Sequence, residues 1–432
     1  MTFKRSLNII NFKKILSNSI SKNIGWLFFD KVCRLGVGLC VGIWVARYLG
    51  PEKFGSWNYA IAIVAILSAL ATLGLDQILV KNLIEHKQSE DELMGSAFFL
   101  RFSGSILAIL ISCLYVYLSN NNDLLLLMTL ITGINLVFQC FDIIDLKLQS
   151  ELKSRISVIV KNSAFIIASI LKLIVIIEKG SLIMFVIISL VELVLGATGL
   201  IVTYGYDKVK KWRLNLIFAM KLLTDGWPLI LSGIIILLYM RLDQVMIGRM
   251  LSATSVGLYS VSVRFSELWY FIPSVFVNSF FPKLIQIKND SAAYNKLCLN
   301  LLKILFVISF SIAIIVNLIA GNLISFLYGH SYLVSAFALK ISIWTAIFVF
   351  WGVAAGNMLV IENLNKHNLY KSIAGLAINI ILNLVLIPQM GINGAAIATL
   401  ISQFFASYLY YLFPEKTRHI FFLQTKSILF FV

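Results

Sequence analysis

SLIMFVIISLVELVLGATGLIVTY, residues 181–204, decides the fold. These twenty-four residues carry one charged side chain, Glu192. As a helix rising 1.5 Å per residue the stretch reaches about 36 Å, enough to cross a hydrocarbon core of roughly 30 Å. A barrel strand would alternate apolar and polar residues over about ten positions, and this run does not. Working outward, similar blocks recur at about 24–48, 57–80, 95–118, 123–146, 156–177, 224–249, 256–281, 299–320, 333–360, 369–388 and 391–413. With 181–204 they make twelve spans. The 432 residues are 59% hydrophobic and 13% charged, with a mean hydropathy of +0.91. Soluble domains are about a quarter charged. In lipid every backbone polar group must be satisfied within its own segment, so the reading is an all-α membrane protein of about twelve transmembrane helices.

The net charge of +16 is distributed by side. One set of loops and ends holds Lys13, Lys14, Lys22, Lys153, Arg155, Lys208, Lys210, Lys211, Arg213 and Lys288, among others. The opposite loops, such as Gly50–Ser56 and Gly321–Tyr332, hold little beyond Lys53 and Lys179. This positive-inside asymmetry predicts both termini in the cytoplasm and an even number of spans. It accounts for the basic charge without nucleic acid. Between the lysines of the first twenty residues, Phe3, Leu7 and Ile10 recur at helical spacing, which predicts an interfacial amphipathic helix. The tail Ile420–Val432 is too short to span and is expected along the membrane surface. The five cysteines and four histidines are scattered without a paired spacing, so no metal or other cofactor is expected.

The chain echoes itself at a shift of about 200 residues. ARYLGPEKFGSWNYA from Ala46 lines up with GRMLSATSVGLYSVS from Gly248, pairing Arg47 with Arg249 and Gly55 with Gly257. Six spans per half return the chain to the same side, so both halves share an orientation and a substrate path between them is expected. The predicted organisation is an amphipathic segment at 1–23, an N-lobe at 24–206, a cytoplasmic linker at 207–223, a C-lobe at 224–413 and an interfacial tail at 414–432.

Three segments resemble the polysaccharide-exporter branch of the multidrug/oligosaccharidyl-lipid/polysaccharide (MOP) superfamily. They are ARYLGPEKFGSWNYAIAIVAILSALATLGLD at 46–76, FPKL at 281–284, and INIILNLVLIPQMGINGAAIATLIS at 378–402. In the last, Pro388 is expected to end one helix, while Gly391 and Gly394 permit the reversal. Span count and length are similar to the Wzx-type O-antigen flippases. The resemblance implies two six-helix lobes in a MATE-like fold, in the bacterial inner membrane. It implies transport of an undecaprenyl-diphosphate-linked oligosaccharide repeat to the periplasmic leaflet by alternating access, with ion coupling left open and no covalent chemistry. Its implied partners are the lipid-linked oligosaccharide and membrane lipids, with a polysaccharide polymerase and a chain-length regulator as further candidates.

An ionisable side chain near the bilayer centre costs roughly 2.5–3.5 kcal/mol on insertion scales, so each one needs a reason. Arg34 is the first candidate to meet the diphosphate, since guanidinium suits phosphate oxygens. Alternatively it pairs with Asp30, one turn away on the same face, beside Lys31. Arg264 either receives the diphosphate or pairs with Glu267. Arg101 either faces the cavity or snorkels to the headgroups, and snorkelling is expected for Lys172. Glu192, with no base in its own turn, is the candidate for ion coupling, against a plain hydrogen bond to a neighbouring helix. Asp142 and Asp145 are expected to line the cytoplasmic mouth opposite Lys147. Arg241 and Asp243, two apart, are expected to point to different neighbours, and Asn357, Asn379 and Asn383 either to offer hydrogen bonds to sugar or to join helices.

These acids and bases nearly balance, so a cation-exporting drug or metabolite antiporter of the same superfamily is an alternative. A membrane glycosyltransferase or polysaccharide polymerase is a further one. It is disfavoured because no outer loop is long enough to hold catalytic acids.

Overall fold

The computed structural model describes residues 19–85, 89–120 and 122–428, all in helices and short connections, with no strand among them. The expected amphipathic start lies outside the described residues. The helices are α1 (Ser19–Thr72), α2 (Asp76–Glu85), α3 (Glu90–Asn120), α4 (Asp123–Gln139), α5 (Asp142–Ser150), α6 (Ser154–Ile177) and α7 (Leu182–Tyr204). After a four-residue turn of helix, α8 (Tyr206–Val209), come α9 (Leu216–Met250), α10 (Ala253–Glu267), α11 (Phe271–Gln286) and α12 (Ser291–Tyr328). The chain closes with α13 (Ser335–Ser342), α14 (Thr345–Ile361), α15 (Lys366–Met390), α16 (Ile392–Ser407) and α17 (Arg418–Ile428).

Eleven stretches of the described residues are helical, long and apolar enough to cross a membrane. The first, Phe29–Thr72, is broken at Gly50, whose backbone at φ 71°, ψ 171° is open to glycine and which precedes Pro51. Counting its two arms separately gives twelve crossings, the number expected from hydropathy. Pro388 does not end its helix: α15 runs on to Met390, and the reversal falls at Gly391, at φ 59° and ψ −137°. A Cβ on Gly394 would overlap the Leu386 carbonyl, so the tight helix pair α15–α16 requires glycine there.

The chain forms two compact units. The first comprises residues 1–42, 68–114 and 130–230, and the second 43–67, 115–129 and 231–432. Their boundaries fall inside helices and do not follow the sequence halves. In the second unit the reason is visible: the arm of α1 after Gly50 lies against α10 at backbone distance. A Cβ on Gly55 would overlap the Ala253 carbonyl, and one on Gly257 would overlap that of Pro51. Tyr332 also donates to the Ala46 carbonyl at 2.8 Å, and Arg249 to that of Ser119.

Each unit has its own core. In the first, Leu75, Leu79, Met94, Ile143, Ile144 and Leu200 pack together. In the second, Leu302, Phe306, Phe350, Trp351 and Tyr411 do so, joined by Ile420 and Leu423 of α17. The C-terminal helix is therefore docked on one face by side chains, while Phe422 and Ile428 on the other stay exposed.

Candidate functional site

Helices α1, α4, α5, α6 and α7 of the first unit enclose a chamber of about 210 Å³. Asp30, Arg34, Asp142, Asp145, Lys161 and Glu192 lie on its wall. Arg34 and Asp30 are one helical turn apart, and Arg34 Nε donates to Asp30 Oδ1 at 3.0 Å. The same guanidinium extends Nη1 to within 3.8 Å of Glu192 and lies 5.3 Å from the Phe165 ring centroid. Asn162 donates to Asp30 at 2.9 Å, and Lys172 Nζ lies 3.7 Å from the other oxygen of Glu192. Arg34 is thus held between two carboxylates, and Glu192 between two cations. Arg34 is paired with Asp30, and the pair faces the chamber.

Folding brings Arg34 and Lys172 from α1 and α6 to Glu192, which has no base in its own turn. Two expectations are corrected here. Lys172 is accordingly paired inside the unit. Asp142 and Asp145 do not face Lys147; Lys161 Nζ bridges them at 2.8 and 2.9 Å. Lys147 instead meets Glu90 and Glu151, the latter at 3.2 Å.

Arg101 is 4% exposed and paired with Asp76 at the start of α2, so it neither snorkels nor reaches the chamber. Lys31 is exposed and makes no ion pair among the described residues. In the second unit, Glu267 is met by Arg241 of α9 at 3.2 Å, while Arg264 is exposed. Arg241 and Asp243 do point to different neighbours.

Asp243 is the residue that sequence reasoning undervalued. It is 4% exposed, and no basic side chain among the described residues lies within ion-pair distance. Asn383 donates to Oδ1 at 2.6 Å; Tyr259, at 2.8 Å, and Thr399 donate to Oδ2. Asn383 also donates to Asn379 at 3.0 Å, and its own Oδ1 is buried without a partner among the described residues. The carboxylate on α9 is thus held by three donors, the Asn383 carboxamide nitrogen of α15 and the hydroxyls of Tyr259 on α10 and Thr399 on α16. An acid held by neutral donors with no basic partner can take and release a proton. The signal was an acid in mid-span together with two asparagines four residues apart, but only the fold brings them together.

Known proteins share this architecture. The chain is similar to a solved structure of the lipid II flippase MurJ in an inward closed conformation, with a TM-score of 0.73 at 16% identity over 94% of this chain and 90% of that one. An inward-facing multidrug resistance MATE family transporter of the MOP superfamily gives 0.67 at 15% identity, over 91% and 96%. At such identities the likeness is one of fold. In sequence, the chain is 22% identical over 413 residues to the capsular polysaccharide biosynthesis protein CapF of Staphylococcus aureus, covering 91% of this chain and 99% of that protein. It is 32% identical over 178 residues to a probable flippase, AglR, of Haloferax volcanii, a match spanning 40% of this chain and 37% of the archaeal protein. Residues 44–337, more than half of the chain, match the family model described as polysaccharide biosynthesis protein, and the chain belongs to that family.

Proposed function

We propose that this protein is a flippase of the bacterial inner membrane. It moves an undecaprenyl-diphosphate-linked oligosaccharide, the repeat of an O-antigen or similar surface polysaccharide, from the cytoplasmic to the outer leaflet. The observation that carries the reading is the chamber among membrane-spanning helices, where Arg34 is poised between Asp30 and Glu192. An arriving anion would draw Arg34 from one carboxylate and so couple loading to a rearrangement of α1 against α7. Replacing Arg34 by Ala should then abolish export at equal expression. Alternating access by the lobes 24–206 and 224–413 about the linker 207–223, with both termini cytoplasmic, completes the proposal. Lipopolysaccharide assembly would place a polymerase and a chain-length regulator downstream.

Ion coupling is better assigned to Asp243 than to Glu192, whose charge is already met by two cations. Asp243→Asn should remove the dependence of export on a proton or sodium gradient, whereas Glu192→Gln should leave that dependence in place. Flux measured in vesicles with and without each gradient checks this.

One observation favours a second reading, a drug or metabolite antiporter: the chamber wall carries four carboxylates against two cations. Deleting the gene separates the two. The flippase reading expects lipid-linked repeats stranded on the cytoplasmic leaflet; unchanged surface polysaccharide with raised drug sensitivity would sink it.

A further inference from the structure

The second unit holds a cavity of about 560 Å³, within the roughly 300–1,000 Å³ usual for ligand pockets. Lys371 lies on its wall, the sixth residue of α15 and roughly 8 Å along the axis from the start of that helix. That end of the helix is the one the positive-inside pattern assigns to the cytoplasm. Lys371 Nζ donates to Tyr411 Oη at 2.9 Å and lies 3.4 Å from the Gly352 carbonyl. No carboxylate among the described residues lies within ion-pair distance of it. In the first unit, by contrast, the chamber cations Arg34 and Lys161 and the nearby Lys172 all face carboxylates. An ammonium satisfied only by two neutral oxygens has spare donor capacity for an anion.

The rest of the wall narrows the anion. Asn357, Asn365, Asn368 and Gln403 bring carboxamides, which pair with hydroxyl groups both as donors and as acceptors. Tyr239 and Tyr270 add aromatic rings, and the remainder is largely aliphatic. Gly356 keeps the floor open: a Cβ there would stand 3.4 Å from Asn368 Oδ1 and 3.8 Å from Lys371 Nζ. Carboxamides and rings around one positive charge match a hydroxylated pyranose that bears one negative charge. A diphosphate carries more charge and is better met by several cations or by forked guanidinium groups. We propose that this cavity is a glycan subsite and that Lys371 takes the carboxylate of an acidic sugar, a uronic acid, in the lipid-linked repeat. The proposal rests on the flippase reading for its substrate, although the site can be tested without transport.

The test is calorimetric titration of the purified full chain with sodium glucuronate, glucose and inorganic pyrophosphate. Glucuronate should bind about tenfold more tightly than glucose, and pyrophosphate should not compete with it. Lys371→Met should erase the preference for glucuronate while leaving glucose binding as it was, and Lys371→Arg should keep the preference. Unchanged glucuronate binding in Lys371→Met would overturn the proposal. So would competition by pyrophosphate that is lost in the same variant, which would assign the site to the diphosphate. Transport is scored separately in vesicles. Absent flipping with intact Lys371-dependent binding removes the flippase reading alone; intact flipping with no glucuronate preference removes only the subsite.

Discussion

Asp76 and Arg101 form an ion pair whose two ends live in different surroundings: the arginine is 4% exposed and the aspartate 60%. Removing one partner of a buried pair typically costs about 3–5 kcal/mol, because the other charge is left without compensation. Here that penalty is one-sided. Asp76→Ala strands a buried guanidinium, whereas Arg101→Met leaves an aspartate that water can reach. Asp76→Ala should therefore lower the unfolding midpoint in detergent by clearly more than Arg101→Met, and equal effects would contradict the assigned burial. The same pair marks what sequence could deliver at this scale. Insertion cost made Arg34, Arg101 and Glu192 stand out, since a charge in an apolar block is conspicuous, and the spacing of one turn gave Arg34 its partner Asp30. Partners on other helices were not legible. Glu192 meets Arg34 across 158 residues (192 minus 34), and Asp243 meets Asn383 and Thr399 across 140 and 156. Local spacing carries no trace of such contacts, so neither the cations that meet Glu192 nor the donors that hold Asp243 could be named from sequence.

At the scale of helices, apolar length and loop charge were sufficient to place twelve crossings, because lipid enforces both. Boundaries set by backbone contact were harder to foresee. Gly55 and Gly257 fell into register in the internal echo, yet nothing in that alignment says that they touch. In lipid, close approach of helices depends on small residues, since apolar area gives little drive for association. Gly55→Val would push its Cβ into the Ala253 carbonyl, and such overpacking costs about 1–3 kcal/mol. It should lower the unfolding midpoint and splay α1 from α10. Gly36→Val, on an earlier turn of α1 with open space around it, is the control and should change the midpoint little. A thermal melt of both variants decides whether the Gly55 contact holds the second unit together.

For the whole molecule, the two units differ in electrical character. The first confines its chamber charges in pairs, and the second keeps one lysine among neutral groups and one aspartate among hydroxyls and amides. The family and the fold were within reach of the sequence, because residues 46–76 and 378–402 and the twelve spans sufficed to suggest both. The division of charge between cavities was not, because it depends on which wall each side chain joins. The i, i+4 arrangement of Asp30 and Arg34 also bears on biosynthesis. When the first span leaves the ribosome, Glu192 lies 158 residues away (192 minus 34), roughly 8–30 s of synthesis at 5–20 residues per second. Throughout that interval Asp30 alone can neutralise Arg34 as the segment partitions into lipid. Asp30→Asn should thus reduce the yield of correctly inserted protein, read by protease protection of early loops, while Glu192→Gln should not. Asp30 then acts first as an insertion aid and only later as part of the chamber, so the order in which the chain is made is written into the spacing of one turn of helix.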